Sequence, residues 1–141
     1  MRGLIGAKWS ENSAGGVPSR DMTKTESPEF SFSGKHLMLS FLGCKVDLND
    51  LGIIRRDMMT AIQAVGASVM AEAESQFSPH GVSIVFLLAE SHASIHTYPE
   101  HNACFLDIFT CGRTLRIEAF GETLQHLWRP EHVSIELKER S

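Results

Sequence analysis

The sequence predicts an α+β fold, a two-layer sandwich with a mostly antiparallel sheet and two helices on one face. Three observations carry this. Two segments place apolar residues at helical spacing, Leu51, Ile54, Met58, Ile62 and Val65 in one, Ile117, Phe120, Leu124, Leu127 and Trp128 in the other. Several short segments alternate or run apolar like strands. The order read along the chain is β-α-β-β-β-β-α-β.

The elements follow in turn. Residues 1–34 hold five Gly, two Pro and many Ser/Thr. They bury too little apolar surface to offset the entropy of ordering, so a disordered tail is expected. A single domain follows from residue 35 to 141. His36–Leu42 reads as a strand. Asp47 or Asn49 is expected to cap the first helix, which runs to about Val65 and ends at Gly66. Ser68–Ala73 reads as a strand, and Pro79-His80-Gly81 as a turn. Val82–Ala89 is a strand apolar on both faces: Val82, Ile84, Phe86 and Leu88 on one, Val85, Leu87 and Ala89 with Ser83 on the other. Ser91–Tyr98 alternates, Ala103–Thr110 is apolar, Ile117–Trp128 is the second helix stopped by Pro130, and His132–Leu137 is the last strand. Two helices cover one sheet face, so the second apolar face predicts a partner sheet and a dimer.

The chain has 141 residues, enough for one self-sufficient core. Hydrophobic residues make up 43% and charged residues 21%, as in soluble globular proteins. A net charge of -4 argues against a nucleic-acid surface. No apolar run approaches the roughly 20 residues of a membrane helix, and the N-terminus has no apolar signal core. Cys44, Cys104 and Cys111 form no CxxC pair, so a reducing cytoplasm is expected.

Reactive side chains concentrate from Ser83 to Cys111. His92 and His96 share a strand face and, with His101, raise the question of a metal, but the spacing is not that of a zinc site and none is expected. Cys104 reads as a small core hydrophobe. Asp107, alone in an apolar strand, must be paired or functional, because an unpaired buried carboxylate is too costly.

The segment resembles the prokaryotic, pyruvoyl-dependent S-adenosylmethionine decarboxylases. The resemblance rests on Glu90-Ser91-His92, Ser94-Ile95-His96-Thr97-Tyr98-Pro99-Glu100 and Asp107-Ile108-Phe109-Thr110-Cys111-Gly112, with Pro79-His80-Gly81-Val82-Ser83 upstream. It covers about residues 35–138. The His101–Phe105 spacer departs from the family's Gly/Tyr-rich form, and the tail has no counterpart.

The resemblance implies self-cleavage between Glu90 and Ser91 into a β chain 1–90 and an α chain 91–141. Ser91 becomes a covalent pyruvoyl group, which forms a Schiff base with the substrate amine and takes up electrons as CO2 leaves. By the same resemblance, His96 is the proton acceptor and donor of processing and Ser83 supports it. Cys111 protonates the product carbanion; a thiol suits this because its ordinary pKa, ~8.5, lies near operating pH. Phe77 stacks on the adenine, Tyr98 lies near the same pocket, and Glu100 belongs to the substrate site. The implied assembly is a homodimer of αβ protomers with sites near the interface. The implied product is the aminopropyl donor for spermidine. A pyruvoyl-dependent arginine or ornithine decarboxylase on the same fold, and an uncleaved, non-catalytic binding homologue, are the alternatives.

Overall fold

The structure is a computed structural model and describes residues 32–111 and 114–141. Its elements are β1 (Gly34–Leu42), α1 (Leu51–Val65), β2 (Val69–Gln76), β3 (Val82–Leu88), β4 (Ser91–Tyr98), a 3-10 turn (Pro99–His101), β5 (Ala103–Thr110), α2 (Glu118–Trp128) and β6 (His132–Arg140). This is the α+β class and the element order that the sequence predicts. The expected tail lies outside the described residues as far as residue 31, and Gly34 already opens β1.

The six strands form one antiparallel sheet in the order β2-β3-β4-β5-β1-β6. Strand alternation sorts side chains cleanly. Leu37, Leu39 and Phe41 of β1, Ile84 and Phe86 of β3, Ala93 and Ile95 of β4, and Leu106 and Ile108 of β5 are buried in the core shared with the helices. No helix among the described residues lies over the other face. There Val85, Leu87 and Phe105 are exposed at 46%, 56% and 54%, the uncovered apolar face that the β3 pattern predicts.

α1 buries Ile54, Met58, Ala61, Ile62 and Val65, and α2 buries Phe120, Gly121, Leu124 and Trp128. The α1 cap corrects the expectation. It falls to Asp50, whose side chain accepts from Ile53 N at 3.0 Å. Asp47 instead turns the preceding loop by accepting from Asn49 N at 2.9 Å. Asn49 is turned to another task, accepting from Gly81 N at 2.8 Å. Gly66 ends the helix with φ +92, the left-handed conformation that glycine adopts without a Cβ penalty.

A charged residue joins the helices. Asp57 lies within the apolar stripe of α1 and is only 5% exposed. Its carboxylate accepts from Trp128 Nε1 at 2.8 Å and from Arg56 Nε at 3.0 Å. Both indole and carboxylate are thereby satisfied in the core.

Candidate functional site

The predicted site residues fall at two opposite ends of the sheet. The first end is the β3–β4 hairpin. Ala89 and Glu90 make its two-residue turn, closed by the Leu88↔Ser91 pair. Glu90 has φ +57, a conformation that costs a non-glycine residue about 1–2 kcal/mol. Ser91 follows at once, 7% exposed on the helix side of the sheet. Its Oγ is the one buried side-chain N or O atom without a hydrogen-bond partner among the described residues. Leaving such a hydroxyl unsatisfied costs about 1–3 kcal/mol. Strain and an unsatisfied nucleophile therefore coincide at one peptide bond.

Cys111 belongs to the same end. His92 pairs with Phe109 across β4 and β5, so Ser91 and Thr110 are the next residues on each strand, and Cys111 comes directly after. The Cys111 thiol is exposed. It borders an open cleft of about 310 Å³ shared with Phe109 and Arg140; the Arg140 guanidinium lies 5.0 Å over the Phe109 ring. Gly112 of the signature lies outside the described residues.

The second end gathers Phe77, Ser83, His96, Tyr98 and Glu100 around a cleft of about 340 Å³. Ser83 and His96 are cross-strand partners on the open face, with Oγ 2.8 Å from Nδ1. The loop before β3 is pinned in three places. Phe77 N donates to Gly81 O at 2.8 Å, Gly81 N to Asn49, and Val82 N to Thr97 Oγ1 at 2.8 Å. The Thr97 hydroxyl in turn donates to Leu48 O at 2.8 Å. These bonds hold the Phe77 ring, 53% exposed, at the cleft. Tyr98 stacks edge-on against Phe105 with centroids 5.5 Å apart. Glu100, on the 3-10 turn, pairs with His80 at 2.9 Å.

The structure thus places Ser91 and Cys111 at the same end of the sheet and His96 with Ser83 and Phe77 at the other, and it does not join the two groups within one chain. Ser91 and His96 sit five residues apart on β4, about 17 Å at strand rise, and point to opposite faces. A contiguous motif hides this, because neighbours on a strand are not neighbours in a site.

The remaining reactive residues resolve separately. Cys104 is buried, and the hydrogen-bonded Cys44 thiol together with burial pushes it far above the ordinary thiol range. It stays an uncharged core thiol. His92 meets neither His96 nor His101 in a ligand cluster. It lies on the open face with His36 and Asp107. Asp107 is paired: one oxygen takes the Ser94 hydroxyl, the other lies 2.7 Å from His36 Nε2. His36 was not singled out by sequence, since its partners are far away along the chain. The register His36↔Phe109↔His92 is what joins them.

Comparison with known proteins gives the family. Residues 35–141 match the family model described as S-adenosylmethionine decarboxylase. A relative from Brevibacillus brevis named S-adenosylmethionine decarboxylase proenzyme is 39% identical over 104 residues, covering 73% of this chain and 78% of its own. One of the same name from Methanococcus vannielii is 37% identical over 103 residues, covering 72% and 84%. The crystal structure of the Aquifex aeolicus adenosylmethionine decarboxylase superposes with a TM-score of 0.72 at 27% identity, over 79% of this chain and 93% of that one. A match spanning the whole described domain, with the strained Glu90-Ser91 turn inside it, leaves no room for a chance likeness of one motif: the chain belongs to the S-adenosylmethionine decarboxylase family.

Proposed function

We propose that the chain is a self-processing S-adenosylmethionine decarboxylase that cuts itself between Glu90 and Ser91. The observation that carries this is the unpartnered, buried Ser91 Oγ immediately after Glu90 in its left-handed conformation. In the cut, Oγ attacks the Glu90 carbonyl carbon, the C–N bond breaks and an ester forms. A base then takes the Ser91 Cα proton and the ester leaves as the Glu90 carboxylate. The resulting dehydroalanine hydrolyses, releasing ammonia, to a pyruvoyl group at the start of the α chain 91–141. Strain at Glu90 is relieved once the bond is broken, which favours the reaction in the forward direction.

The hairpin end fits this group, since it supplies the serine and places Cys111 one residue beyond the strand end. When formed, the pyruvoyl group supplies an electron sink for decarboxylation. Cys111 is the proton donor to the product. Phe77 holds the adenine by stacking, Tyr98 lines the same cleft, and Glu100 offers a carboxylate to the polar part of the substrate. Ser83 fixes the His96 ring through Nδ1, leaving Nε2 to act as the base of processing.

His96 cannot reach Ser91 of its own chain, so the working unit is a homodimer of αβ protomers. A two-fold axis between two open faces, perpendicular to the strands, sets the Ser91–Cys111 end of one copy against the Phe77–His96 end of its partner. It also covers Val85, Leu87 and Phe105. Each 340 Å³ cleft is near the lower limit of small-molecule pockets, as expected of half a site. The product would serve as the aminopropyl donor for spermidine. The three free thiols fit a reducing cytoplasm.

The test is intact mass with turnover. The wild-type chain should give two fragments and release CO2 from carboxyl-labelled S-adenosylmethionine, and Ser91→Ala should remain one inactive chain. Release only from arginine or ornithine would move the protein to that substrate class. An uncut wild-type chain would make it a binding homologue.

A further inference from the structure

A further cluster of polar side chains lies on the open sheet face, distinct in its residues from those given processing and substrate roles. His36 on β1, Asp107 on β5 and His92 on β4 come from three adjacent strands, and one ligand atom from each lies within 4.8 Å of the others. From this convergence we propose that His36, His92 and Asp107 form a site for a divalent transition-metal ion, with zinc the best-suited physiological occupant.

The donor set decides the class of ion. Two imidazoles and one carboxylate suit zinc and its neighbours in the first transition row, whereas calcium and magnesium demand mostly oxygen. The spacing is close to what such an ion needs. Zn–N and Zn–O bonds of about 2.0–2.2 Å put tetrahedral ligand atoms roughly 3.3 Å apart. His36 Nε2 and Asp107 Oδ2 are 2.7 Å apart, and His92 Nε2 is 3.9 Å from the same oxygen. Opening the first contact and closing the second by about 0.6 Å each, through rotamer adjustments, brings both to that value.

The surroundings hold the ligands in place. The Ser94 hydroxyl occupies the other Asp107 oxygen, leaving Oδ2 aimed between the two rings. The Phe109 ring packs against both imidazoles, with centroids 5.9 Å from His36 and 5.7 Å from His92. Such outer contacts orient ligands and raise affinity. In the single protomer the three side chains are 22%, 23% and 43% exposed for His36, Asp107 and His92, so an ion can reach them before the open faces meet. With three protein ligands, a fourth position stays open to water or to the partner copy.

The test uses untagged, processed protein stripped with a chelator and freed of it. Co²⁺ and Zn²⁺ are titrated by calorimetry, and Co²⁺ also by its visible absorption, whose intensity reports tetrahedral coordination. One ion per chain is expected, with a dissociation constant in the micromolar range or tighter. His36→Asn and Asp107→Asn should each weaken binding at least tenfold, and Ser94→Ala, which removes only the outer contact, by roughly tenfold. Cys111→Ala should bind normally, which separates this site from the exposed thiol. Absence of binding up to millimolar metal overturns the proposal. So does binding that is unchanged in His36→Asn and Asp107→Asn, or, where near-ultraviolet dichroism shows these two misfolded, unchanged in Ser94→Ala.

Discussion

The distance between Ser91 and His96 makes a complementation experiment quantitative. Ser91→Ala lacks the nucleophile and His96→Ala lacks the processing base, so each made alone should stay uncut. In a mixed dimer, the Ser91 of the His96→Ala chain faces the intact His96 of the Ser91→Ala chain. The second site of that dimer lacks both groups. Random pairing in equal co-production makes half of the dimers mixed, each with one good site of two, so about one quarter of wild-type sites should form. About half of the His96→Ala chains should then be cut. If His96 acted within its own chain, the rescued fraction would be zero. Differential tagging with denaturing electrophoresis and intact mass measures the cut, and labelled CO2 release measures the activity. Failure of any rescue, or a His96→Ala chain that cuts itself alone at the wild-type rate, would refute the placement of the two half-sites across an interface.

Cys111→Ala should mature normally but turn over about 10²–10⁴-fold more slowly, read by mass and by CO2 release; normal turnover would mean that another group is the acid. Phe77→Ala should raise KM several-fold, as loss of stacking worth ~0.5–1.5 kcal/mol requires, with the cut unaffected. Asp57→Ala leaves the buried Trp128 N–H without its acceptor and should cost about 2 kcal/mol in urea denaturation; an unchanged midpoint would show that the link is not structural. Leu87→Glu puts a charge on the open apolar face and should shift light scattering toward a monomer; an intact dimer would place the interface elsewhere.

Most of the fold was legible because each element carries a period that burial enforces. β4 and β5 fall where alternation and apolar runs placed them, since both are central strands with one face wholly in the core. The edge strands were harder. β2 reaches Gln76 and β6 reaches Arg140, beyond the expected ends, because the exposed strands need only backbone pairing and salt links such as Arg55 to Glu72 at 2.5 Å. The site was legible as residues but not as an arrangement. Motif contiguity placed Ser91, His96 and Cys111 in one active centre, while strand rise and alternation separate Ser91 from His96. Glu90 carries no signal for positive φ, which glycine or asparagine would have given. Asp57 did leave one, a carboxylate in the apolar stripe of α1, which in a helix of this kind asks for a buried partner.

The strand order has a consequence for the protein once the proposed cut is made. Residues 1–90 supply β1, α1, β2 and β3, and residues 91–141 supply β4, β5, α2 and β6. In the sheet, β1 lies between β5 and β6 and β3 lies beside β4, so the two pieces are braided. Neither could leave without breaking three ladders, so a protein cut at the proposed Glu90–Ser91 bond would hold together with no covalent link. Reassembly is another matter. Once denatured, the cut protein must recover by a second-order encounter in which one piece threads its first strand between two strands of the other. The uncut Ser91→Ala chain needs no such encounter to build its protomer. Recovery from urea should therefore fall more steeply with dilution for the mature protein than for Ser91→Ala, so that maturation makes folding, in practice, a one-way passage.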